Sequence, residues 1–287
     1  MNAILKAVCR TAVSLSLPLT AAAQAGDERH LPLWELGIGA AAISTPAYPG
    51  AGDRSARGLV LPFILYRGEI LRADQSGIGA RLFRSDRLEF DVGLAGSLPS
   101  ESSDVDARAG MPDLGTLLEF GPRLKVKIAD IDRASRLRAE LPLRAVIEAR
   151  GGLRRQGWTF EPRLVYERAG EGGAWTFQGQ LSAVIGDKRI HRYFYDVQPQ
   201  HATALRPAYA SDAGLLLTRL GVFGTRRINP DLRLFGFLRF ESYRGAANRH
   251  SPLHLRESGV SGGVGFAWTW KRSSRRASGA ESIDPPM

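Results

Sequence analysis

The sequence predicts an all-β chain: a single antiparallel transmembrane β-barrel. Three observations point there. Apolar and polar residues alternate with a period of two along most of the chain, as in a strand with each face toward a different environment. Several of these runs reach about 9–11 residues or more, the length a tilted strand needs to cross a bilayer; strands of soluble domains mostly run nearer 5–6 residues. Aromatic residues collect at the ends of the runs, at Trp34, Trp158, Tyr166, Trp175, Tyr243, Trp268 and Trp270, where an interfacial girdle would have them. A soluble sandwich with one wet face shares the alternation, but not the strand length or the aromatic ends.

The chain opens with the marks of an export signal. Lys6 and Arg10 precede the short apolar run Thr11–Ala23, and Ala23–Ala25 reads AQA, the small residues a signal peptidase cleaves after. Residues 1–25 are therefore expected to be a signal peptide, 26–270 the barrel, and 271–287 a basic, then proline-rich disordered tail. The single cysteine, Cys9, falls in the signal, so the mature chain is expected to carry no disulfide, thiol nucleophile or cysteine metal ligand. After the signal no apolar run approaches the roughly 20 residues of a membrane helix, and alternation hides a barrel strand from any averaging window. The net charge of +10 suits an acidic partner: anionic lipid, lipopolysaccharide or cell-wall polymer. No nucleic-acid motif is present.

The strands follow in order. WELGIGAAAIS (Trp34–Ser44) sets Trp34, Leu36, Ile38, Ala40 and Ala42 on one side. LEFDVGLAGSL (Leu88–Leu98) opposes Leu88, Phe90, Val92 and Leu94 to Glu89, Asp91 and Gly93. LEFGPRLKVKI (Leu118–Ile128) sets Glu119, Arg123, Lys125 and Lys127 on its polar face. RLRAELPLRAVIEAR (Arg136–Arg150) has the composition of a helix but the spacing of a strand. Arg136, Arg138, Glu140, Arg144 and Glu148 share one parity with Pro142, which would break a helix and here suggests a bulge. WTFEPRLVYE (Trp158–Glu167), WTFQGQLSAVI (Trp175–Ile185), LRLFGFLRFESY (Leu232–Tyr243) and VSGGVGFAWTW (Val260–Trp270) continue the scheme.

Short polar turns such as RGE, RSDR and AGEGG separate the strands. The longer connections, Pro99–Gly115, Asp187–Asp212 and Arg244–Ser258, share one end of a barrel only if an additional strand precedes Leu98. Glu69–Phe83, interrupted by ADQSG, is the place for it. That predicts 12 strands, with 10 as the alternative, since bacterial barrels have even counts.

Charges on the polar parity define the expected lumen: Glu119, Arg123, Lys125, Lys127, Arg136, Arg138, Glu140, Arg144, Glu148, Arg163, Arg233, Arg239 and Glu241, joined by Glu161 and Glu167. On the lipid side each Arg or Lys near the midplane would cost up to about 4 kcal/mol. Inside a narrow barrel they either pair and fill the lumen, the favoured reading, or line a small anion-leaning channel.

Specific motifs add a family. PAYPGAGD (Pro46–Asp53) follows the first strand, YFYDVQPQHATALRPAYASDAG (Tyr193–Gly214) lies in the long connection, and SYRGAANRHSPLHL (Ser242–Leu255) precedes the last strand. In this order the chain resembles the MipA/OmpV family of outer-membrane proteins, the MltA-interacting proteins, over essentially its whole mature length. The residues carrying the resemblance are Pro46, Tyr48, Gly50, Tyr193, Phe194, Val197, Ser251 and Pro252. Two features depart from the family pattern: the inserted Asn248–His250 and the extension past Trp270.

The resemblance implies a cell outer membrane location, contact with outer-membrane lipid and lipopolysaccharide, and insertion by the barrel assembly machinery. It also implies a structural or scaffolding role between a murein transglycosylase and a penicillin-binding protein, with a small-solute channel as the alternative. No cofactor or metal is implied, and no enzyme signature stands out. His250, Ser251 and Glu257 are a nominal set for an outer-membrane lipid hydrolase, but lack a nucleophile-elbow context.

Overall fold

The computed structural model describes residues 31–74, 77–97 and 105–277; the signal segment 1–25 and residues 278–287 lie outside it. The strands are β1 (Trp34–Pro46), β2 (Arg54–Arg67), β3 (Leu71–Asp74), β4 (Gly77–Arg84), β5 (Leu88–Ser97), β6 (Thr116–Asp132), β7 (Ser135–Ala149), β8 (Leu153–Phe160), β9 (Arg163–Ala169), β10 (Trp175–Gly186), β11 (Gly214–Arg227), β12 (Leu232–Ser242) and β13 (Ser258–Arg272). Each pairs antiparallel with its neighbours, and β13 closes onto β1. β8 and β9 are two halves of one strand: both pair with β7 in one continuous register, Leu143 opposite Phe160 and Glu140 opposite Arg163. Glu161 and Pro162 interrupt them, since Pro162 has no N–H for the ladder. The barrel therefore has 12 strands. The additional strand comes from the predicted segment, split into β3 and β4 around residues 75–76.

Alternation places the faces as the pattern requires. In β6, Arg123 and Lys125 are buried toward the lumen while Phe120 is exposed on the outside. The outer wall carries a continuous apolar belt that includes Val60, Leu82, Leu141, Leu181, Leu220 and Val264, the surface a bilayer solvates. Pro142 sits in β7 without a bulge: it stays in register with Arg123, and the shifts of the β6–β7 ladder lie instead at Lys127–Ala129 and Asp130–Asp132. It has no N–H to give the ladder, but its carbonyl accepts from the Glu161 amide at the β8–β9 break.

Small residues close the barrel seam. A Cβ on Gly265 would lie 2.4 Å from the Ala40 carbonyl and 2.5 Å from the Phe235 ring, and one on Gly263 2.7 Å from the Phe237 ring. Ring atoms of the inward Phe235 and Phe237 thus occupy the space that side chains on β13 would take, an aromatic cover for strand glycines.

The short β7–β8 turn lies at the mouth of the long connections; the other short turns, β2–β3, β4–β5, β6–β7, β9–β10 and β11–β12, share one rim. Trp34, Tyr66, Tyr166, Trp175, Trp268 and Trp270 sit on strand ends at that rim. Tyr243 does not join the expected girdle: it is 1% exposed, packed inside the opposite mouth. The chain also remains ordered past Trp270. β13 runs to Arg272, and residues to Ala277 continue antiparallel to 31–34, with Ala277 N–H on the Leu31 carbonyl at 2.8 Å and Ser273 N–H on that of Trp34 at 2.9 Å. The barrel edge therefore lies beyond the expected boundary at residue 270.

Candidate functional site

The long connections fold together over one mouth. The β10–β11 connection contains a helix, α1 (Lys188–Tyr195), begun by the Asp187 side chain accepting from the Ile190 N–H, a common N-cap. Tyr48, Val105, Leu114, Tyr195, Val197, Leu253 and Tyr243 form one buried cluster drawn from four connections and the strand ends beneath them. A loop that buries its backbone must satisfy its carbonyls, and side chains from other connections meet several of them. Tyr48 donates to the Leu253 carbonyl at 2.7 Å, Tyr195 to the Pro49 carbonyl at 3.0 Å, and Ser251 to the Tyr195 carbonyl at 2.8 Å. Arg108 and Arg206 donate to the carbonyls of Phe194, Pro112, Ala107 and Ala109.

The residues carrying the family resemblance all gather here. Pro46 ends β1 and Tyr48 lies under the cap, with Arg108 over its ring at 5.8 Å. Gly50 adopts φ +81° against His254, a conformation only glycine enters cheaply. Tyr193 and Phe194 pack on the cluster, Val197 pairs with Tyr209, and Pro252 follows the buried Ser251.

Asn248, within the inserted-looking segment, ties three pieces together. Its amide donates to His191 Nδ1 at 2.7 Å and to the Asp212 carbonyl at 2.8 Å; its oxygen accepts from the Asp212 N–H and the Tyr209 hydroxyl. His191 Nε2 must then donate to the Gly214 carbonyl, 3.0 Å away, so the ring is the neutral tautomer. Burial lowers its pKa below the ordinary histidine value, partly offset by that carbonyl and by Asp187. Burial likewise pushes the Tyr48 phenol up to about 12 and raises Tyr193, Tyr195 and Tyr243.

Below the cap the inner wall of the barrel is laced by ion pairs between nearby strands. Arg123 grips Asp91 in a fork at 2.7 and 3.0 Å. Lys125 and Arg81 share Glu89, each at 3.0 Å. Glu140 accepts from Arg138 and Arg163, each through Nε at 2.7 Å, and Arg138 reaches on to Glu167. Arg219 bridges Glu161 at 3.0 Å and Glu241 at 2.8 Å, and Arg144 meets Glu119 at 3.3 Å. At the short-turn end Arg67 and Arg233 face Glu35 at 2.7 and 3.8 Å.

Of the charges expected in the lumen, Lys127 lies toward the rim paired with Asp130, and Arg136 lies opposite Glu167 in the ladder. Glu148 serves the cap junction, accepting from Gly115 N–H, Gln156 and Tyr193. Arg239 stacks on Phe237. Sequence reading missed Glu35, Arg67, Arg81 and Arg219 as lumen groups. β2 is apolar on both faces, which hid Arg67; parity alone could have found Arg219. It also missed α1 and the His191–Asn248 pair, although Asp187 three residues before Ile190 is a legible helix start.

His250, Ser251 and Glu257 do not converge. Ser251 is spent on Tyr195 and Leu253, His250 lies beside Arg249, and Glu257 pairs with Arg244.

A family model described as MltA-interacting protein MipA matches residues 38–270, from within β1 to within β13. The chain belongs to the MipA family. Its place is the cell outer membrane. No curated protein matches the chain. Among solved structures, the NanC porin is 12% identical, with 83% of this chain and 100% of that one covered, at a TM-score of 0.36. An outer membrane channel from Pseudomonas putida is 14% identical over 85% and 98%, at 0.37. Outer membrane phospholipase A from Escherichia coli is 11% identical over 82% and 92%, at 0.35. The MipA-family loop motifs of this chain are thus the residues of the cap, not of the lumen.

Proposed function

We propose that this MipA-family barrel is a closed, non-enzymatic scaffold of the outer membrane that holds murein enzymes, a transglycosylase and a penicillin-binding protein, at its periplasmic side. The observation that carries this reading is the double closure: a lumen whose charged side chains are paired and buried along the wall, and a packed cap over the mouth. A pore would leave its charges hydrated. The long connections face outside and the short turns the periplasm, as is usual for such barrels, so the docked enzymes meet the short-turn rim. The apolar belt meets lipid, and the net charge of +10 suits the phosphates of lipopolysaccharide. The barrel assembly machinery is the expected route of insertion.

The test has two arms. Purified barrel in planar bilayers is expected to give no single-channel steps. Affinity capture from solubilised envelopes is expected to retain a murein transglycosylase. Absence of any murein enzyme from the capture refutes the scaffold. The second reading is a narrow channel for small anions, favoured by Arg239, an inward arginine with no ion pair among the described residues; anion-selective steps would establish it.

A further inference from the structure

Arg239 sits in a part of the lumen built differently from the rest. Two cross-strand rows meet there. In one, Gln180 of β10, Gly221 of β11 and Arg239 of β12 lie side by side; in the next, Gln178, Phe223 and Phe237 do the same. Between them is a cavity of about 40 Å³ lined by these side chains, room for a few water-sized atoms. Gly221 makes the space: a Cβ there would enter it, 3.2 Å from Gln180 Nε2 and 3.5 Å from Arg239 Cγ.

The charge balance is local. The row toward the cap holds Arg219, which takes up both nearby carboxylates, Glu161 and Glu241; Glu161 also accepts from Ser182, and Glu241 from Tyr243. Arg239 therefore has the Phe237 ring face, 5.0 Å from its guanidinium carbon, and no carboxylate within ion-pair distance among the described residues. A guanidinium fork matches a carboxylate in a bidentate pair. The two glutamine amides add neutral hydrogen-bonding groups, and the phenylalanines add an apolar wall. One arginine without a second free cation suits a monoanion better than a phosphate dianion.

We infer that the Gln178–Gln180–Phe223–Phe237–Arg239 recess is a binding site for a small monocarboxylate, its carboxylate on Arg239 and its short apolar body against the two rings. The inference goes beyond both functional readings, since binding requires neither docked murein enzymes nor passage through the barrel.

Saturation-transfer NMR tests it on the full mature barrel in nanodiscs of uncharged lipid, in carboxylate-free buffer, with propionate as probe and propionamide as its neutral counterpart. Propionate is expected to show transfer and propionamide none. Arg239→Gln should weaken propionate roughly tenfold or more, the worth of a charge-assisted pair, and Arg239→Lys by less. Gly221→Val should abolish binding by filling the recess. Arg244→Gln, at the exposed rim, should bind as the parent does. Should Gly221→Val fail to migrate as a folded barrel, the two Arg239 variants carry the test. No transfer to propionate, equal transfer to propionamide, or undiminished binding by Arg239→Gln overturns the site.

Discussion

Glu140 is the carboxylate on which the lumen network turns, and replacing it by glutamine tests whether that network is structural. Its side chain is 1% exposed. It accepts from Arg138 and Arg163 at 2.7 Å and lies 3.8 Å from Arg123. Removing one member of a buried ion pair costs about 3–5 kcal/mol, because the remaining charge is left uncompensated. Here Arg138 keeps Glu167 and Arg123 keeps Asp91, so Arg163 bears most of the loss. The expected cost is near the lower bound, about 3 kcal/mol, or roughly a hundredfold in the unfolding equilibrium. Urea titration of the barrel in lipid vesicles, followed by tryptophan fluorescence and by heat-modifiable gel migration, measures it. Adding Arg163→Gln should restore part of the loss, since the two sites couple. Glu257→Gln is the control: its pair with Arg244 is 75% and 81% exposed, and such pairs contribute at most about 1 kcal/mol. A Glu140→Gln cost below that of the control would refute the reasoning and mean that water hydrates the lumen.

Three further outcomes follow from the cap and the seam. The folded cap lowers the His191 pKa, so the opened cap takes up a proton first; cap stability is full above about pH 6.5 and is lost as pH falls below it. Hydrogen exchange of residues 187–213, corrected for intrinsic rates, should quicken from pH 7.5 to pH 5, and by less in His191→Gln; equal protection at both pH values refutes this. Ser251→Ala leaves the Tyr195 carbonyl without its 2.8 Å donor and should destabilise the cap by about 1–3 kcal/mol, read by the same exchange without loss of the barrel's heat-modifiable shift. Gly265→Val collides with the Ala40 carbonyl and the Phe235 ring and should prevent closure of β13 on β1; recovery of the heat-shifted band at parental yield would show that the seam has room.

The sequence by itself determined the barrel and its faces, and favoured 12 strands over 10; the strand pairing decided the count. A period of two is local information: in β7, Arg138, Glu140 and Arg144 share a parity because the backbone pleats, whatever surrounds them. Loop lengths then placed the added strand between Glu69 and Phe83. The motifs with Tyr48, Tyr193 and Ser251 were legible as motifs, but not as neighbours. Only the tertiary structure decided that they meet, since Ser251 touches the Tyr195 carbonyl 56 residues away and Tyr48 reaches Leu253 across 205. Partner choice in the lumen was equally beyond a linear reading. Parity says that Arg219 and Arg239 both face inward; cross-strand register and side-chain reach decide that Arg219 takes Glu161 and Glu241 while Arg239 is left over a phenylalanine ring beside an open recess.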